Sequence, residues 1–303
     1  NATAAPTLIC PGGTGTLNAS GAITYTWYPG PLVGATQTVI GNFPQQYTVV
    51  GSDANGCTNY TVVDLPVFIP TITAFPSQIC IGECSTLTAY GGVSYTWIPQ
   101  NIVSPTIVVC PTVSTGYQVL GTHSTGCISG TFVTVIVWPI PTVQATASPT
   151  RICLGGSSWL QAWGALSYYW LPPLNTSNNP VLVTPTVTTT YTVIGYNING
   201  CADTTTVQVI VDPIPTLTAI PNPMQICRGG TSTLTAYGAL TYTWFPPFTG
   251  FTGSVMVVSP TVTTQYTVVG TNTFGCNNWT VVTVIVGPNI SAIAIPSVIC
   301  AGN

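Results

Sequence analysis

One seven-residue stretch, Gly238-Ala239-Leu240-Thr241-Tyr242-Thr243-Trp244, recurs in near-copy as Gly21 to Trp27, Gly91 to Trp97 and Gly164 to Trp170. Downstream of each Trp, past a loop and one further strand-like run, stands a Tyr (Tyr47, Tyr117, Tyr191, Tyr266) that opens a Thr/Val-rich segment. A Gly-Cys pair follows each of these segments, at Cys57, Cys127, Cys201 and Cys276. Between these blocks lies an Ile-Cys pair, at Cys10, Cys80, Cys153, Cys227 and Cys300, and its spacing is nearly constant. Self-similarity at a fixed period means a tandem array, and it overrides the length prior for a 303-residue chain. The repeats are expected at 1–69, 70–140, 141–214 and 215–288, with the start of a fifth at 289–303.

Within a repeat the pattern is all strand. Taking 215–288, Thr216 to Ile220, Ser232 to Tyr237, Thr241 to Phe245, Ser254 to Ser259, Tyr266 to Thr271 and Trp279 to Val286 are short Val/Thr/Tyr-rich runs. Gly, Pro and Asn bound them, and no capped segment of period 3.6 appears. Six or seven antiparallel strands in about 73 residues predict a small immunoglobulin-like β-sandwich. Trp27, Trp97, Trp170 and Trp244 on the third strand are then core anchors; stacking on a glycan is the lesser alternative for them. Tyr47, Tyr117, Tyr191 and Tyr266 take the tyrosine-corner position, where the hydroxyl bonds to upstream backbone. Pro139-Ile140-Pro141-Thr142 and Pro213-Ile214-Pro215-Thr216 mark short, stiff joints, so the array is expected to form a rod.

Composition narrows the function. Charged residues are 2% of the chain, against roughly 25% in ordinary soluble proteins. With two cations in total, no basic footprint for nucleic acid exists. No apolar run reaches the roughly 20 residues of a membrane-spanning helix. His123 is the only histidine, Glu83 has no partner carboxylate nearby, and Asp53 and Asp203 flank turns. No catalytic, cofactor or metal site follows from such a set, and the residues point away from an enzyme. Regular cysteines in a repeat array point to an oxidising, extracellular compartment.

Cys84 and Cys110 occur in the second repeat alone, at the start of the second strand and the end of the fourth. These are antiparallel neighbours, which predicts a Cys84–Cys110 bridge. The other cysteines leave two schemes open. Within-repeat pairing gives Cys10–Cys57, Cys80–Cys127, Cys153–Cys201 and Cys227–Cys276. Against it, the two turns lie at opposite poles of a sandwich, some ~23 Å apart for a strand of seven. The other scheme staples consecutive repeats, as Cys10–Cys127, Cys80–Cys201 and Cys153–Cys276. No free thiols are expected except where the ends of the sequence cut a pair, as at Cys300.

The succession Ile-Cys-x-Gly, Leu-Thr-Ala-x-Gly, Tyr-x-Trp, Thr-Thr-x-Tyr-Thr-Val-x-Gly and Gly-Cys resembles the Ig-like or PKD-like repeats of large Bacteroidota cell-surface proteins. The resemblance implies secretion, surface display and a role as stalk, adhesin or filament. It also implies within-repeat disulfides, since both cysteines travel together in each repeat. The first repeat departs from it at Gly41 to Tyr47, and the near absence of charge departs throughout.

A sandwich with so little charge needs another source of hydration for its outer face. Asn-x-Ser/Thr sequons stand at Asn1, Asn18, Asn59, Asn175, Asn278 and Asn289. Asp203-Thr204-Thr205 resembles the O-glycan acceptor of Bacteroidota, with Thr204 the candidate. The expectation is a structural component of an extracellular fibre or stalk, bridged by disulfides and coated with covalent glycans. The alternative is an adhesin module that recognises glycans or another cell surface. The partners expected are further repeats of the same chain, or identical chains end to end, because the sequence opens and closes inside the pattern.

Overall fold

The computed structural model describes residues 1–245 and 251–288. Cys300, Asn289 and the expected fifth repeat lie outside the described residues. The described chain is all β, a tandem series of immunoglobulin-like sandwiches, each around its own core. It falls into two compact units, one of Asn1–Ile140 with Ile198–Cys201 and one of Pro141–Asn197 with Ala202–Asn303. Each unit holds two sandwiches.

The second repeat shows the plan. Strands Thr71–Phe75, Ser85–Tyr90 and Thr106–Val109 form one antiparallel sheet, with Ser85–Tyr90 in the middle. The facing sheet runs Ile102–Val103, Ser94–Ile98, Thr115–Thr122, Ile128–Trp138 and Gln78–Cys80. Alternation selects the inner face: Leu87 and Ala89 point inward from one sheet, and Tyr95, Trp97, Tyr117 and Val119 from the other. The first strand is split. It leaves the first sheet at the cis bond Phe75-Pro76 and re-pairs, parallel, with the last strand of the second sheet. Ala5-Pro6, Ser148-Pro149 and Asn222-Pro223 mark the same crossing in the other repeats.

Trp27, Trp97, Trp170 and Trp244 are at most 1% exposed, which removes the glycan-stacking alternative for them. The indole nitrogens of Trp27, Trp97 and Trp244 donate to carbonyls of Gly34, Ser104 and Gly253 at 2.9, 2.9 and 3.0 Å. Trp170 Nε1 is buried without an acceptor among the described residues.

The tyrosine-corner expectation needs correction. Tyr47, Tyr117, Tyr191 and Tyr266 are buried, but the hydroxyl that bonds to upstream backbone belongs to the Tyr of the Tyr-x-Trp motif. Tyr25, Tyr95, Tyr168 and Tyr242 each donate to the carbonyl three residues earlier, at 2.8 to 2.9 Å. The same hydroxyls accept from the amide of that residue. The motif tyrosine sits beside the Gly-rich turn that enters its own strand, so its ring reaches the turn directly. The Tyr47 hydroxyl donates to a side chain instead, Gln45 Oε1 at 3.5 Å.

Candidate functional site: the disulfide joints

Two kinds of turn make the joints. At one pole, the Ile-Cys turn closes by a hydrogen bond from the residue three positions on to the cysteine carbonyl. Gly13, Gly156 and Gly230 donate to Cys10, Cys153 and Cys227 at 2.8 Å, and Glu83 donates to Cys80 at 3.0 Å. The Glu83 carboxylate also accepts from the Cys80 amide at 2.8 Å, which gives this acid a structural task. At the other pole, the Gly-Cys turn requires a left-handed residue, and Gly56, Gly126, Gly200 and Gly275 supply φ between 82° and 86°. Asp53 and Asn272 brace it, each accepting through Oδ1 from the two backbone amides inside the turn. His123 takes that place in the second repeat, its Nδ1 accepting from the Thr125 amide at 3.3 Å.

The bridges join poles of different repeats. Cys10 is bonded to Cys127, Cys80 to Cys201 and Cys153 to Cys276, with Cα separations of 5.3, 5.6 and 5.5 Å. The within-repeat scheme implied by the resemblance is thereby corrected. Cys127 immediately precedes the long strand Ile128–Trp138, whose last residue is level with Cys80. Cys80 and Cys127 therefore stand about 35 Å apart, far beyond the roughly 4.4 to 6.8 Å that a bridge spans. Cys57 and Cys227 are free and exposed, the two positions that the stapling scheme leaves without a partner within this sequence. Cys84 and Cys110 are bonded at a Cα separation of 4.1 Å, next to the Ser85–Val109 pair of the central and outer strands.

Non-covalent contacts grip the chain that enters each pole. In the second repeat the His123 ring packs on buried Phe68 at 5.1 Å. In the third, Asp203 accepts from the Val143 amide at 3.2 Å. In the fourth, Asn272 and Asn278 donate to the carbonyls of Pro213 and Pro215 at 2.7 and 3.0 Å. Arg151 forms a two-pronged ion pair with buried Asp212 and lies over the Phe274 ring at 5.0 Å. Asp64 accepts from Gln46 Nε2 at 3.0 Å. All five carboxylates thus take part in turns, pairs or joints. Among the described residues, no three His, Cys, Asp or Glu side chains converge as metal ligands.

Of the glycosylation candidates, Asn1, Asn59, Asn175 and Thr204 are exposed. Asn18 and Asn278 are half-buried, and the Asn278 amide nitrogen is already engaged by Pro215. The outer faces carry exposed apolar side chains, among them Phe132 and Trp279. Among the described residues no helix is long and apolar enough to cross a membrane.

No family model matches the sequence, and no curated protein matches it. Several solved structures are similar at low identity. A Ca2+-stabilized adhesin with which an Antarctic bacterium binds ice has 15% identity and a TM-score of 0.34, over 94% of this chain and 99% of that one. The N-terminal eight Ig domains of Down Syndrome Cell Adhesion Molecule have 13% identity and a TM-score of 0.35, over 92% of this chain and 53% of that one. A 1.5-MDa bacterial ice-binding adhesin has 14% identity and a TM-score of 0.28, over 71% of this chain and 98% of that one. The immunoglobulin-like assignment rests on the strand order and pairing of the chain itself.

Proposed function

We propose that this chain is a structural component of an extracellular bacterial fibre or surface stalk, its repeats held in series by covalent joints. The observation that carries the reading is the staggered pairing Cys10–Cys127, Cys80–Cys201 and Cys153–Cys276. A bridge from each repeat to the next does nothing for a ligand site, but it makes the array continuous through its joints. Disulfides persist in oxidising surroundings, which supports an extracellular location. The carboxylates and the lone His123 are occupied in turns and joints, which supports a role without catalysis. Immunogold labelling of intact producing cells with antibody to this chain tests the reading. Label along surface fibres is the expected result; label confined to the cell interior or to dispersed soluble protein overturns it.

A glycan coat belongs to the same reading. Exposed Thr204 and sequons such as Asn59 and Asn175 offer attachment points on a surface with little charge of its own. Intact mass spectrometry of the native protein should show hexose increments, and a bare polypeptide mass would remove the coat. A second reading, an adhesin, is favoured by one face of the third repeat. There Trp159 and Trp163 stand exposed on the same side of strand Ser158–Trp163, with Leu182 paired to Trp159. Retention on a glycan array, lost in Trp159→Ala, would favour it over a passive fibre.

A further inference from the structure

The four repeats are near-copies, so each is a reference for the others, and one surface of the third departs from them. In the sheet of Gln144–Ser148, Ser158–Trp163 and Val181–Val183, the strand Ser158–Trp163 lies in the middle. Alternation turns Trp159, Gln161 and Trp163 outward, and all three are exposed. The strand register puts Thr86, Thr88 and Tyr90 at the same places in the second repeat, and Thr233, Thr235 and Tyr237 in the fourth. The first repeat has Thr16, Asn18 and Ser20 there. Only the third repeat presents two indoles to solvent on this sheet.

Local contacts hold this surface in shape. Trp163 Nε1 donates to Gln144 Oε1 at 3.1 Å across the cross-strand pair of these two residues, which restrains the ring. Leu182 stands opposite Trp159 on the other flank. Where the outer strand has not yet begun, the Asn179 side chain completes the ladder. It donates to the Ala162 carbonyl and accepts from the Ala162 amide, both at 2.8 Å. In the other repeats the matching amide bonds to backbone, at Ala35, Pro105 or Ser254. The middle strand is thus paired on both sides up to the base of Trp163. Gln161, between the indoles and across from Thr146, keeps both ends of its amide for a ligand.

We propose that this face binds a neutral oligosaccharide laid along Ser158–Trp163, with sugar rings stacked on Trp159 and Trp163 and hydroxyls bonded to Gln161. The site rests on the adhesin reading and gives it a ligand class. Three properties of the face select that class. Aromatic walls with a few placed polar groups are the usual make-up of a small-molecule site. None of the three strands carries an ionisable side chain, so nothing on them complements an acidic sugar, a phosphate or a charged peptide. The order is indole, amide, indole, with the polar group at the centre and the apolar groups at the ends. A protein interface has the reverse order, an apolar core inside a polar rim. Carbon-bound hydrogens on the face of a sugar ring pack on an indole, while its hydroxyls reach an amide that both donates and accepts. Four residues of strand separate the indoles by about 13 Å, more than one sugar ring spans, so a chain of sugars is needed to engage both.

A printed array of neutral and acidic glycans, followed by calorimetric titration of the best-retained oligosaccharide and of its monosaccharide, tests the site. Retention of neutral linear glycans is expected, the oligosaccharide binding at least about tenfold more tightly than the monosaccharide. Trp159→Thr and Trp163→Tyr each install the residue that the second and fourth repeats carry, so the fold accommodates them. Each should weaken binding about tenfold with the melting curve unchanged. Gln161→Thr should weaken it several-fold, whereas Thr235→Ala in the fourth repeat should leave it as it was. Retention of acidic glycans alone, equal affinity for the monosaccharide, or indifference to Trp163→Tyr and Gln161→Thr overturns the oligosaccharide site. With retention still lost in Trp159→Ala, those results would leave the adhesin reading standing. No retention of any glycan overturns both. So does a dimer of this chain, seen by sedimentation and abolished by the same variants, in place of glycan binding.

Discussion

Ser85, Ser158 and Ser232 are at most 1% exposed, and each donates at 2.7 Å to the carbonyl of the proline where the first strand changes sheet. Removing one hydroxyl strands a buried acceptor, which costs about 1–3 kcal/mol. Ser158→Ala should therefore lower the guanidinium midpoint of its repeat, and Ser158→Thr should not rescue it, since an added methyl has no room. An unchanged midpoint would refute this. The buried tyrosines set the alkaline limit. Burial raises the pKa of Tyr47, Tyr117, Tyr191 and Tyr266 above the ordinary 10.0. The unfolded chain loses those protons first, so their contribution is complete below pH 10 and declines as pH rises above it. Circular dichroism and tyrosinate absorbance, recorded together, should show these four ionising only as the sandwiches open. A titration of all 14 tyrosines near pH 10 with structure retained would contradict it.

Across the sandwich, the first repeat solves the same packing problem with a different pair. Gly15 stands where the other repeats carry the buried serine, and Leu65 fills the space, its Cδ1 2.5 Å from where a Cβ would lie. The others place Val135, Val209 or Val284 at the Leu65 position. Gly15→Ser alone overpacks, at about 1–3 kcal/mol, and Leu65→Val alone opens a void, at about 0.5–1.5 kcal/mol. The double variant restores the pairing of the other repeats. A thermodynamic cycle should then give a coupling of about 1 kcal/mol or more, whereas additive losses would refute the exchange. This coupling is invisible in one sequence, because Gly15 reads as one more turn glycine. Ser232 to Tyr237 and Thr241 to Phe245 were legible to the residue, since both alternate along their whole length. Gln225–Ile226 and Phe251–Thr252 were not, because so short a pair carries no period. The joints were half legible. Strand length argued against a bridge within a repeat, while the travelling pair of cysteines suggested one. Equal spacing fits both schemes, and only the placement of the two poles separates them.

The whole molecule has overlapping covalent loops, since 10–127, 80–201 and 153–276 share stretches of chain. One peptide bond cut anywhere between Cys10 and Cys276 leaves the two pieces joined. Limited proteolysis should accordingly yield fragments under reduction while the unreduced protein keeps its full mass; early loss of mass without reductant would argue against the staggered bridges. Tension follows the same map. From Cys10 the shortest bonded route crosses to Cys127, follows the backbone only as far as Cys153 and crosses again to Cys276. Without the bridges the load must travel the whole backbone from Cys10 to Cys276. At about 3.5 Å per extended residue, the bridged route caps the Cys10-to-Cys276 span at roughly 90 Å, against roughly 900 Å once the bridges are reduced. Single-molecule pulling with and without reductant should read those two limits, and a long extension without reductant would break the scheme. A sandwich in this chain can lose its fold under load without the tether growing longer, so its reach is set by sulfur–sulfur bonds and not by folding stability.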